Sequence, residues 1–176
     1  MDYRVLRETD ENVVILPGAK VNGDVTFGPG CSVWYNAVIR GDDNPIVFGK
    51  NCNIQDNAVF HAGKTVLSVG DNVTVGHGAI VHCVSVGEGT VIGMGAILVQ
   101  GAVIGKNCTI FQQVTIAHGN VVIGDNVLLG AGAKILPGVT IGNNAKIGAN
   151  CVVVEDIPEN ATVVMPKPRI IVKEKQ

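Results

Sequence analysis

A chain of 176 residues with 47% apolar content can build one folded domain around a core of its own, which excludes a disordered polymer. Its 13 basic and 15 acidic residues leave a net charge of -2 with no clustered basic excess, so a nucleic-acid footprint is excluded. Glycine reaches 23 residues while aromatics supply only 4%, which points away from a conventional globular core and toward repeated backbone geometry with many tight corners.

The opening MDYRVLRETD carries no apolar signal segment, and no stretch approaches the ~18 apolar residues of a membrane helix, so the expected location is the cytoplasm. From residue 13 onward, an aliphatic or aromatic residue recurs at a spacing of six. It reads Ile15, Val21, Phe27, Val33, Ile39, then Phe48, Ile54, Phe60, then Val69, Val75, Val81, Val86, and onward through Ile92, Leu98, Ile104, Ile110, Ile116, Ile123, Leu129, Ile135, Ile141, Ile147 and Val153. Such a period fits neither an amphipathic helix nor long alternating strands. It predicts short strands joined by corners of the GDN and GNN type, where Gly, Asn and Asp tolerate positive φ. Three hexapeptides close one triangular turn, and successive turns stack in parallel.

The expected fold is therefore all-β, a single hexapeptide-repeat domain of seven to eight triangular coils spanning 13–157, with a short extended tail over 158–176. In that tail, Ala161 to Val172 read as one or two short strands or a coil lid over the last turn. Cys31, Cys52, Cys108 and Cys151 stand two places before a repeat residue, as do Ala79, Ala96, Ala102, Ala133 and Ala145, which makes them small inward-facing sites near corners. Cys83 breaks this register beside His82, where oxidation sensitivity is an alternative to simple burial.

Two steps in the repeat are three residues longer than six. They predict loops, RGDDNPIV after Ile39 and HAGKTVLS after Phe60, leaving the prism from the same corner in adjacent coils. His61 follows Phe60, His82 follows Val81 and Arg40 follows Ile39, so the three form a column. His77 follows Val75 by two places, one face further round the triangle. One prism cannot turn His77 toward the other two histidines, whereas a threefold homotrimer can set the edges of neighbouring subunits together. Three imidazoles with one open position make a catalytic rather than a structural zinc arrangement. His118 lies two coils beyond His82, too far for the same ion.

The stretch VIRGDDNPIVFGKNCNIQDNAVFH followed by VGDNVTVGHGAIVH resembles the gamma-class carbonic anhydrases over roughly residues 10–110. The resemblance implies a left-handed β-helix and a homotrimer that hydrates carbon dioxide to bicarbonate. It implies that His61 and His82 bind zinc, or iron or cobalt, with His77 of the adjacent subunit. It further implies that Arg40 and Asp42 form a subunit-bridging ion pair with the adjacent subunit's Asp56, that Gln55 orients the water on the metal, and that Asn53 helps place the substrate. Asp43, just beyond RGD, stands where a proton shuttle is expected, although a solvated carboxylate is the plainer reading.

From about Cys108 onward the chain resembles the end of a serine acetyltransferase instead, through GAGAKIL and the IGANCVVVEDIP segment. That resemblance implies acyl transfer from acetyl-CoA, yet the position of that family's general base falls near Ile92, with no histidine. Stacked coils tolerate such a composite because each needs only its neighbours. A noncatalytic trimeric scaffold is the third reading.

Overall fold

The computed structural model describes residues 4–7 and 12–172. Most repeat residues end a strand of two to three residues, the long strands Lys20–Phe27 and Val38–Phe48 spanning two faces each, and the strands stack in register into the three faces of a parallel β-solenoid of about eight turns. Face I holds Val38 to Arg40, Val59–His61, Ile80–Val81, Ile97–Leu98, Thr115–Ile116, Lys134–Ile135 and Val152–Val153. Face II holds Ile46 to Phe48, Leu67–Val69, Ser85–Val86, Val103–Ile104, Val122–Ile123 and Thr140–Ile141. Face III is a nine-stranded ladder from Val14–Ile15 to Thr162–Val163.

The hexapeptide register predicted from the sequence places side chains inward at two sites per repeat. From Phe27 through Val153 every repeat residue is buried, and so is each residue two places before it along faces I and III. A buried Val, Leu or Ile contributes roughly 1.5–3 kcal/mol, so stability is spread evenly along the prism. Aromatic volume is concentrated in three coils, where Phe27 stacks on Phe48 with centroids 4.9 Å apart and Phe48 meets Phe60 edge-on at 5.0 Å.

The corner residues divide the work differently from the sequence expectation. Ten asparagines and Gln113 adopt φ between 48° and 60°, whereas the aspartates accept hydrogen bonds. Asp71 Oδ1 accepts from the Lys50 amide at 2.8 Å and Asp125 Oδ1 from the Lys106 amide at 2.7 Å. Where asparagines stack, each amide donates to the next, as Asn126 does to Asn144 at 3.2 Å and Asn144 to Asn160 at 3.1 Å.

All five cysteines are buried and free, and three share one task. The Cys31, Cys52 and Cys108 thiols donate to the glycine carbonyls of residues 49, 70 and 124 at 3.1 to 3.2 Å. The Thr90 hydroxyl does the same to the carbonyl of residue 105 at 3.0 Å. These are corner carbonyls that the ladder leaves to side chains. Oxidation sensitivity at Cys83 is corrected by the structure: the thiol is 5% exposed and burial pushes its pKa up to about 12, so the reactive thiolate is suppressed.

Two boundaries and one loop also differ from expectation. Arg4–Arg7 pairs in parallel with Gly23 to Thr26, so the prism starts before residue 13. Thr162–Val163 is the short strand expected within Ala161 to Val172, and it pairs with Lys146–Ile147, which carries the ladder past residue 157; residues 164–172 then run exposed. The segment expected as the loop RGDDNPIV is part of one continuous strand, Val38–Phe48, which bends around the I–II corner against Lys20–Phe27. It is paired before the corner, at Val38 to Gly41, and after it, at Ile46 to Phe48, and the register shifts between the two so that residues 42–45 bulge out of the ladder. The second insertion does leave the ladder, over Ala62 to Val66.

Candidate functional site at the corner of faces I and II

Strand alternation sets the site. Ile39, Phe60 and Val81 point into the core in register, so the next residue in each coil, Arg40, His61 and His82, emerges at the I–II corner. The His61 and His82 rings stack with centroids 5.0 Å apart and planes 26° apart. His61 Nε2 is sealed from solvent without a hydrogen-bond partner. Asp43 Oδ2 lies 3.0 Å from it and Asp42 Oδ1 lies 3.7 Å away, but neither offers hydrogen-bond geometry, so these are charge contacts available to a protonated ring. Burial chiefly, and then His61, holds the His82 pKa below the usual histidine range, which favours the neutral ring.

The corner is tied down by its neighbours. Arg40 donates to Asp42 Oδ2 from Nε at 3.3 Å and from its guanidinium terminus at 3.0 Å, and that bond keeps the Asp42 carboxyl below its ordinary pKa. Asn44 donates to the carbonyl of Gly63 at 2.6 Å, joining the bent strand to the Ala62 to Val66 loop. A Cβ on Gly63 would sit 2.9 Å from His82 Nε2 and 3.2 Å from Gln100 Nε2, so a larger residue there would have to push that ring aside.

The remaining expected site residues stand on a different edge. Asn53 is on face III, its amide donating to Ser32 Oγ at 2.8 Å. Gln55 and His77 line one groove of about 330 Å³ at the III–I corner. Asp56 Oδ2 lies 2.9 Å from His77 Nδ1, which suits a ring turned with Nε2 outward, the usual way a carboxylate orients a ligand histidine. Within the chain Asp56 faces His77, and Arg40 pairs with Asp42, two residues along the same extended strand. One chain thus gathers Arg40, Asp42, Asp43, His61 and His82 on one edge and Asn53, Gln55, Asp56 and His77 around another. Among the described residues no three His, Cys, Asp or Glu side chains converge to hold a metal.

Sequence spacing missed two participants. Gly63 and Asn44 carry no chemical signature, since their role depends on how two adjacent corners interlock. The local pattern does show that length variation gathers here: repeat steps of nine, nine, five and seven residues, after Ile39, Phe60, Val81 and Ile116, all cross the I–II corner.

Comparison with solved structures places this architecture. The chain is similar to the UDP-N-acetylglucosamine acyltransferase from Campylobacter jejuni with a TM-score of 0.71 at 18% identity, covering 87% of this chain and 69% of that one. The fold is a hexapeptide-repeat, left-handed β-helix. Residues 66–100 match the model "Hexapeptide repeat of succinyl-transferase", and residues 120–154 match "Bacterial transferase hexapeptide (six repeats)". Over a 37-residue stretch the chain is 60% identical to a probable carbonic anhydrase of Methanocaldococcus jannaschii and 51% identical to the mitochondrial gamma carbonic anhydrase 2 of Arabidopsis thaliana. Those stretches cover 21% of this chain, and 23% and 13% of the two relatives. The fold is thus related both to acyltransferases and to gamma-type carbonic anhydrases.

Proposed function

We propose that the chain hydrates carbon dioxide to bicarbonate at a metal site shared between subunits of a homotrimer. The observation that carries the reading is the stacked His61 and His82 pair, with an Nε2 sealed from water and lacking any hydrogen-bond partner. A buried ring nitrogen without a partner costs free energy unless something binds it, and a neutral imidazole lone pair is a metal donor. The pair fits two of the three donors of a tri-histidine site. Zinc, or iron or cobalt, would be held by His61 and His82 with His77 of the partner subunit. When bound there the ion supplies Lewis acidity that makes water nucleophilic near neutral pH.

The chain's own residues supply the surroundings. Asp56 fixes the ring of His77 on its own chain, and Gln55 beside it orients water with an amide that does not titrate. Asn53, held by Ser32, backs the same face and helps place the substrate. Arg40 holds Asp42 against the histidine corner. Asp43, 60% exposed and 3.0 Å from His61 Nε2, takes a proton at its carboxylate and releases it to solvent.

Acyl transfer from acetyl-CoA is the second reading, favoured by the two transferase-named repeat models and by an exposed His118 within a groove. Metal quantification on anaerobically purified protein, then stopped-flow carbon dioxide hydration and an acetyl-CoA consumption assay, separates the readings. The expected result is about one ion per chain, hydration lost on chelation, and loss of both metal and hydration in His77→Ala with the circular dichroism of the prism retained. A full metal complement in that variant sinks the shared site. Metal without hydration leaves the scaffold, and acetyl transfer that survives chelation establishes the transferase.

A further inference from the structure

Directly beyond the histidine pair on the same corner, the prism carries a groove of about 420 Å³, within the ordinary size of small-molecule sites. Its polar lining comes from Lys64, Thr65, Gln100, His118 and Asn120, supplied by three of four successive coils. All five can donate hydrogen bonds, one carries a fixed positive charge, and no aspartate or glutamate is among the lining residues. Beside these donors lie the outward side chains of Val84 and Val103, the first half-buried and the second 36% exposed. The combination is one-sided. A cation would meet an ammonium with no counter-charge, and a fully apolar ligand would strip water from five donors without replacing it. An anionic head with an aliphatic body satisfies both parts.

The irregular corner builds this groove, because the Ala62 to Val66 loop swings past its own coil to bring Lys64 and Thr65 beside Gln100, while the seven-residue step after Ile116 pushes His118 and Asn120 outward. Gly63 stands beside both His82 and Gln100, linking the groove to the histidine pair. We propose that the groove binds a small aliphatic carboxylate of about six carbons, its carboxylate facing Lys64 and His118 and its chain lying along Val84 and Val103. Binding there requires no metal, so the proposal stands apart from the hydration chemistry and can fail or succeed independently of it.

The test is a calorimetric and ligand-observed NMR titration of hexanoate into the full-length protein, in metal-loaded and chelated forms, alongside butyrate, acetate and hexylamine. Hexanoate is expected to bind both forms equally, each methylene lost toward acetate to weaken binding about three- to fourfold, and hexylamine not to bind. Lys64→Gln is expected to weaken hexanoate at least fivefold, and Val103→Ser to flatten the chain-length dependence while acetate is unaffected. Since both positions are exposed on the surface, neither variant threatens the fold, and circular dichroism checks this. Hexanoate binding that needs the metal, that is unchanged in Lys64→Gln, or that is matched by hexylamine overturns the proposal.

Discussion

Burial first, and then the positive field of His61 and His118, holds His82 below the ordinary histidine pKa, with Asp43 opposing them weakly. A ring that resists protonation when folded is protonated more readily when the chain unfolds. As pH falls through the unfolded value near ~6.5, the unfolded state therefore binds the proton first and the native state loses stability; above that value the penalty is absent. With metal chelated, the melting temperature of the wild type should drop between pH 7.5 and pH 5.5, and His82→Asn should shallow that drop. Thermal unfolding at the two pH values decides it: an equal drop in both proteins would place the acid sensitivity elsewhere. The same neutrality is what a metal donor needs, because a protonated imidazole has no lone pair to give.

At the scale of elements, the bent strand Val38–Phe48 and the loop that follows Val59–His61 act as one unit, joined by Asn44 and closed over His82 by Gly63. Gly63→Ala places a methyl 2.9 Å from His82 Nε2, a contact relieved by swinging the ring away from His61. The expected outcome is zinc affinity lowered about 10–100-fold, the range for disturbed support of a metal ligand, with a melting temperature close to wild type. Competitive titration against a chromophoric chelator measures it, and unchanged affinity would mean that the loop does not set the ring. The register of the prism was legible from sequence, because burial repeats at the same two places in each hexapeptide and needs no long-range information. The column of Arg40, His61 and His82 followed from that register. The continuity of the strand through residues 41–45 was not legible, since it depends on the pairing of Val38 to Gly41 and Ile46 to Phe48 on the two sides of a bulge. The contact of Asp56 with His77 was not either, because a short carboxylate takes whichever cation or ring its corner presents.

For the whole molecule, the division of the expected site between two edges makes a prediction that no single-chain arrangement shares. If each site takes His61 and His82 from one subunit and His77 from the next around a threefold axis, every trimer has three such junctions, each reading one edge from each neighbour. His77→Ala and His61→Ala trimers, taken separately, contain no complete junction. In trimers assembled from an equal mixture, a junction is complete when a His77→Ala chain offers its histidine pair to a His61→Ala neighbour, which random assembly yields at about one junction in four. Co-expression of the two variants with different affinity tags, followed by isolation of doubly tagged protein, enriches mixed trimers. Each mixed trimer, whether two-to-one or one-to-two, carries one complete junction of its three, so tight metal content and hydration rate should both reach about a third of wild type. Because the two variants differ from each other only at surface corners, the prisms stack and fold alike, and restored binding has no source other than the junction. Doubly tagged trimers with no more metal than the single variants would show that the two edges never meet, and the histidine pair would then have to find its remaining ligands within its own chain or from solvent.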